Sequence, residues 1–234
     1  MIRKENHRIV GAAVVLAALV SPLAGAIPID ITFEAVPTAD GGGFNSSNAE
    51  IAGLESQLLA VFDVVDPDTV SFTFTNDVGV PSSVANIYFD DNPEGSEAFP
   101  GLDFSTASLT ESAGVDFGLD SAAPPVPAAL IFDSSVAFGI DSETSPLGIN
   151  AGSEYLTIAL DLDGGYTAEQ VESALLDDSL AIALHVQSIG AQSTSDWFIS
   201  TPPDDNEIVP EPATVSLVGL GLAGLLVRRK TRKT

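Results

Sequence analysis

From Ile27 to about Ser200 apolar residues recur at every second position, and this periodicity is the strongest constraint on what the chain can fold into. In TVSFTFTN, Val70, Phe72 and Phe74 alternate with Ser71, Thr73 and Thr75. Val115, Phe117 and Leu119 alternate in the same way, as do Val136, Phe138 and Ile140. So do Leu156, Ile158, Leu160 and Leu162, and then Ile182, Leu184 and Val186. Successive side chains of a strand point to opposite faces, so each set lies on one side. These segments read as half-buried strands, apolar toward a core and polar toward water. Further strands are expected near Ile29–Phe33, Gln57–Val64, Val84–Phe89 and Asp196–Ile199.

The punctuation between them is consistent with this. DPDT, between Phe62 and Val70, reads as a hairpin turn with Pro67 at its second position. TADGGGFNSSN and SAAPPVPAA read as loops. One segment breaks the alternation: GGYTAEQVESALLDDSL reads as a short helix. Thr167 is placed to cap it, Gln170 to complete a capping box, and Val171, Ala174 and Leu175 share its buried face. About nine or ten strands and one short helix make the chain all-β. The expected architecture is a β-sandwich with jelly-roll or Greek-key connections over residues 27–200, with a barrel as the alternative.

Charge is distributed unevenly. The formal net charge is -25, from 33 acidic and 8 basic residues. Arg3, Lys4 and Arg8 stand at the start; Arg228, Arg229, Lys230, Arg232 and Lys233 stand at the end. Ile9 to Val227 therefore holds no Lys or Arg, which removes nucleic-acid binding, phosphate clamps and Schiff-base chemistry from the central region. Divalent cations or cationic partners suit it better. Cysteine is absent, so disulfides, thiol nucleophiles and thiolate metal sites are excluded.

The two ends carry their own signals. A basic start, an apolar run from Ile9 to about Val20 and the small residues Ala24-Gly25-Ala26 have the layout of a secretory signal peptide, with cleavage by signal peptidase expected after Ala26. Near the other end Ala213–Val227 is an apolar run of 15 residues. As a helix it covers about 22 Å against a bilayer core of roughly 30 Å, a short transmembrane helix that its basic neighbours can extend by snorkelling. The basic segment 228–234 places the tail in the cytoplasm by the positive-inside rule, with Arg228, Arg229 and Lys230 as the topology stop. Residues 201–212, with prolines on both sides of Glu211, read as an extended linker.

Pro210-Glu211-Pro212, the short Gly/Leu/Ala-rich run and the terminal basic cluster together resemble the PEP-CTERM sorting signal of exported bacterial proteins. The resemblance covers the chain from Val209 onward. It implies recognition of Pro210, Glu211 and Pro212 by an exosortase, a membrane-embedded protease or transpeptidase that severs the tail. Such systems accompany exopolysaccharide and biofilm production. More loosely, FTFTN, IYFDD, GVDF, GINAGSEYLTIAL and ALHVQSIG are similar to ectodomains found above such tails, a likeness that implies no particular activity.

Chemistry within the domain is harder to read. Once the leader is removed His185 is the sole histidine; it alternates with Leu184 and Val186 and so should turn from the apolar face, hydrogen-bonded to a strand neighbour. No G-x-S-x-G elbow is present, and one histidine without cysteine does not make a zinc site. No catalytic residue, metal site or required cofactor is assigned. Calcium is the ion that an oxygen-rich chain would suit best. Asp161, Asp163 and Glu172 have EF-hand-like spacing, but Gly165 and Tyr166 occupy positions that need a ligand and a turn glycine, so the match reads as accidental. Asp63, Asp66 and Asp68, and Asp90, Asp91, Glu94 and Glu97, are further acidic groups; Asn45-Ser46-Ser47 is a sequon. The expectation is an exported cell-surface or matrix protein, anchored by its C-terminal helix until processed, with a non-catalytic structural or binding domain and a matrix polysaccharide as its candidate partner. The alternative is a secreted glycoside hydrolase using paired carboxylates.

Overall fold

The computed structural model describes residues 28–37, 43–91, 100–119, 137–143 and 147–202. Among them the strands are β1 Ile29–Val36, β2 Leu58–Asp66, β3 Thr69–Asn76, β4 Ser83–Asp90, β5 Leu102–Glu111, β6 Phe117–Gly118, β7 Phe138–Ser142, β8 Ile149–Asn150, β9 Tyr155–Leu162, β10 Ala181–Ile189 and β11 Thr194–Thr201. The helices are α1 Asn48–Gln57 and α2 Ala168–Leu176. No helix among the described residues is long and apolar enough to cross a membrane. The expected signal peptide, Ala213–Val227 span and basic tail lie outside the described residues.

The alternating segments become strands because one side of each has a core to meet. Val70, Phe72 and Phe74 of β3 are buried, as are Leu156, Ile158 and Leu160 of β9 and Ile31 and Phe33 of β1. Phe72 lies 5.4 Å from Phe62 and 5.1 Å from Phe89, and Phe74 meets Phe89 edge-on at 6.2 Å. Edge-to-face rings of this kind add to the burial of their area, which contributes about 2–3 kcal/mol for each fully buried phenylalanine. The DPDT turn forms as expected, with Pro67 and Asp68 between β2 and β3.

The strands do not split into the two sheets of the expected β-sandwich. All eleven join one antiparallel sheet in the order β5-β9-β3-β2-β1-β11-β10-β4-β7-β6, with β8 against β4. The reason is β1. Its first half pairs with β2 through Ile29–Thr32, and its second half pairs with β11 through Thr32–Val36. One strand thus belongs to both halves and carries the sheet around a corner. The two ends then approach each other: Phe104 of β5 stacks on Phe138 of β7 at 5.2 Å and lies 5.8 Å from Phe89 of β4. The outcome is a nearly closed, rolled sheet, closer to the barrel alternative. Because β1 and β11 are antiparallel neighbours, Pro28 and Pro202 leave the sheet at the same end.

Among the described residues two α-helices stand where one was expected. α2 forms where the sequence places it, with the Thr167 N–H donating to Gln170 Oε1 at 3.0 Å and Val171, Ala174 and Leu175 buried. α1 was not expected. Its cap is Ser47, whose N–H donates to Glu50 Oε2 at 2.9 Å while the Glu50 N–H donates to Ser47 Oγ at 3.3 Å. Ile51 and Leu54 are buried one turn on. The alternation at Val115, Phe117 and Leu119 yields only the two residues of β6, and Leu119 is exposed. β5 is a strand that alternation missed, because its pairing with β9 shifts register between Asp103 and Ser108.

Candidate functional site

One groove on the sheet follows from the splaying of β1 and β2. Past Thr32 and Leu59 these strands no longer pair. The end of α1 fills the gap, and Glu55 Oε1 accepts the Ala35 N–H at 3.1 Å in place of the missing strand partner. Below this gap runs the row Thr32, Leu59, Thr75 and Tyr155, one residue from each of β1, β2, β3 and β9. The groove holds about 430 Å³, walled by Glu55, Ser56 and Gln57 on one side and the Gly152–Tyr155 turn on the other, with Asp77 at its rim.

Its parts are firmly held. Tyr155 is exposed, but its backbone is clamped by Ser112: the Tyr155 N–H donates to Ser112 Oγ at 2.9 Å and the Tyr155 carbonyl accepts from the Ser112 N–H at 3.1 Å. Glu154 Oε2 accepts from the Asn150 N–H at 2.7 Å and from Asn150 Nδ2 at 2.9 Å. Asp77 Oδ1 accepts the Val78 N–H at 2.7 Å. Behind the wall lies a buried amide network. Gln57 Nε2 donates to Asn76 Oδ1 at 2.6 Å, Asn76 Nδ2 donates to the Ile149 carbonyl at 3.0 Å, and Gln57 Oε1 accepts the Val80 N–H at 2.7 Å. A satisfied buried network of this kind is stiff. The groove therefore offers an exposed aromatic face with carboxylates fixed around it. None of these residues stands out in the sequence; the only trace is that Tyr155 takes the water-facing phase of YLTIALDL.

A second groove, about 440 Å³, unites two acidic stretches that are far apart in the chain: Asp66 and Asp68 from the β2–β3 turn, with Asp161 and Asp163 at the end of β9. Asp161 Oδ1 accepts from Thr69 Oγ1 at 3.1 Å, Asp66 Oδ1 from the Asp68 N–H at 2.9 Å and Asp163 Oδ1 from the Gly164 N–H at 2.6 Å. Asp63 does not line it, and Glu172 sits within α2, as its helical phase required. Among the described residues no three acidic or histidine side chains are grouped to hold a metal ion.

The remaining candidates have structural surroundings. Asp90 ends β4 fully buried, burial raises the Asp91 carboxyl above its ordinary range, and Glu94 and Glu97 lie outside the described residues. Asn45 of the sequon donates its amide to the Ser195 carbonyl at 2.7 Å, beside the buried carboxylate of Asp196. His185 turns away from the main core, as expected, and its Nδ1 bonds Asn86 Oδ1 at 2.9 Å. Its ring stacks on Trp197, and with the buried Tyr88 nearby this forms a small second apolar cluster on the outer face of β4, β10 and β11. Burial lowers the His185 pKa, and Asp196 partly opposes this.

Pro210, Glu211, Pro212, Arg228, Arg229 and Lys230 lie outside the described residues. Nothing among curated proteins or solved structures matches the chain. Residues 209–230 match the PEP-CTERM protein-sorting motif, which implies export, association with the cell envelope and processing by an exosortase.

Proposed function

We propose that the rolled sheet is a binding domain delivered to the cell surface or matrix, and that a polysaccharide of the extracellular matrix is its partner. The groove under α1 is the observation that supports this most: a wide opening with an exposed Tyr155 ring, hydroxyl groups and anchored carboxylates. Aromatic faces with polar groups beside them suit saccharides, which present apolar ring faces edged by hydroxyls.

In this reading signal peptidase cuts after Ala26, residues 27–200 are the mature domain, and 201–212 is a spacer that presents Pro210-Glu211-Pro212 to exosortase. Residues 213–227 hold the chain in the membrane until then, and Arg228, Arg229 and Lys230 keep the tail inside. Two features support the division. β1 begins at Ile29, just after the expected cut, and β11 ends at Thr201, the first residue of the spacer. Both chain ends leave the sheet at one end, so processing at either terminus leaves the strand pairings of the domain intact. Proteases act on segments clear of a fold.

Two measurements test the reading. Replacing Pro210-Glu211-Pro212 by alanines should leave the tail attached, which adds its mass to the protein recovered from an exosortase-bearing host; an unchanged mature mass refutes the cleavage step. The exported protein should also be retained by extracellular polysaccharide of that host, and Tyr155→Ala should weaken retention. Equal retention of both forms removes the groove from the function.

A further inference from the structure

We infer that the groove under α1 selects a polysaccharide bearing free amino groups, an inference that rests on the proposed binding role and narrows its ligand. Charge gives the reason. Glu55, Asp77 and Glu154 surround the opening, each with one carboxylate oxygen tied to a backbone N–H. Glu55 Oε2, Asp77 Oδ2 and Glu154 Oε1 make no hydrogen bond among the described residues. Each of these acids is tethered on one side, and no Lys or Arg from Ile9 to Val227 is present to neutralise them. A cationic group that enters the groove meets acceptors already in place, and hydrogen bonds to charged groups are the stronger kind.

The rest of the lining indicates what carries that cation. Tyr155 offers a ring face, Leu59 gives an apolar floor, and Thr75 adds a hydroxyl. A hexosamine unit combines the same features: an apolar ring face, hydroxyls and an ammonium. A basic peptide supplies the charge alone; extended peptides bind best by adding to a sheet edge, and this groove crosses the faces of four hydrogen-bonded strands. An N-acetylated sugar keeps the ring and loses the charge. The carboxylates therefore act as the selectivity element and Tyr155 as the platform.

The test uses the exported protein and two probes, a glucosamine hexamer and its N-acetylated counterpart, at a pH where the free amine is protonated. The amino form should bind about tenfold tighter, the effect of one good charge-assisted contact. Tyr155→Ala should weaken it about tenfold by losing a stacking face. Glu154→Gln and Asp77→Asn keep an acceptor for their backbone donors, so they should leave the melting temperature nearly unchanged while reducing the preference for the amino form. Asp161→Asn with Asp163→Asn, in the other acidic groove, should leave binding as it is. Equal affinity for both hexamers overturns the selectivity and leaves the saccharide-binding reading standing; binding of neither hexamer overturns the inference, and the saccharide-binding reading then stands or falls on retention by the host's own polysaccharide. An equal loss from the Asp161/Asp163 pair shows attraction by overall charge only. Competition by oligolysine at the same concentration as the hexamer assigns the groove to a basic peptide and overturns the proposal.

Discussion

His185 stacks on Trp197 with ring centroids 4.5 Å apart and planes 15° from parallel. The ladder imposes this contact, because His185 on β10 stands directly between Asn86 of β4 and Trp197 of β11. Burial holds the imidazole neutral, its pKa below the ordinary 6.5, while the nearby Asp196 charge pulls the other way. The unfolded chain therefore takes up this proton at higher pH than the folded one. The stabilising contribution is complete above about pH 6.5 and is lost as pH falls from there through the lower folded value. Trp197 is the only tryptophan. On acidification its emission should fall as imidazolium forms against the indole, with a midpoint below 6.5 that disappears in His185→Gln. Comparing urea midpoints of the two proteins at about pH 7.5 and pH 5 isolates this group from the carboxylates. A variant that follows the parent at both pH values contradicts the assignment.

Gly190 and Glu50 are packed so closely that no side chain fits between them. Gly190 has φ +58, and a Cβ built on it falls 1.8 Å from Glu50 Oε1. The same carboxylate completes the cap of α1 at Ser47. Gly190→Ala should therefore cost about 2 kcal/mol, from the left-handed backbone and the displaced cap together. In a Glu50→Ala background the alanine meets no carboxylate, so its cost should drop to about 1 kcal/mol. A double-mutant cycle on denaturation midpoints checks this, and strictly additive losses would show the two residues to be uncoupled.

The parts of the fold that were legible in the sequence are those governed by local rules. The alternation at Val70, Phe72 and Phe74 needs only a core on one side, and it became β3 wherever that core formed. Thr167 and Gln170 stand three apart and cap α2. Ser47 and Glu50 have the same spacing, yet they were hidden inside a run rich in Gly, Asn and Ser that suggested a loop. The roll of the sheet was not legible, since it depends on β1 changing partners at Thr32, a choice made by distant strands. The grooves escaped for a similar reason. Tyr155, Glu55 and Asp77 are ordinary surface residues until the register sets them side by side, and Asp66 meets Asp161 only through the β2–β3–β9 pairing. The sorting motif is linear, so folding was not needed to find it.

Asp196 illustrates the energetic stake of one such long-range contact. Its buried carboxylate accepts the Asn45 N–H at 2.8 Å, the Ser46 N–H at 3.0 Å and Ser46 Oγ at 2.5 Å, and so fixes the entry to α1 against β11. Asp196→Ala strands the buried Ser46 N–H and the part-buried Asn45 N–H, and the expected loss is roughly 2 kcal/mol in urea unfolding. Asp196→Asn keeps one acceptor oxygen and should lose about half as much. A loss under about 0.5 kcal/mol for the alanine variant would mean that water replaces the carboxylate without penalty.

Ionic strength should stabilise this domain more than it does a protein of mixed charge. Ile9 to Val227 has no Lys or Arg, so its carboxylates face repulsion with no ion pairs to offset it. Raising NaCl from about 10 mM to about 300 mM shortens the screening length from roughly 30 Å to roughly 6 Å. The melting temperature of the exported protein should rise by several degrees over that interval, about 2–4 °C for each kcal/mol of repulsion removed in a domain of this size. Calcium separates screening from binding. Asp66, Asp68, Asp161 and Asp163 share a groove, yet they form no cation-holding set among the described residues. CaCl2 at matched ionic strength should therefore raise the melting temperature no more than NaCl does. A larger calcium shift that Asp163→Asn abolishes would place an ion in that groove, with its ligands gathered on binding.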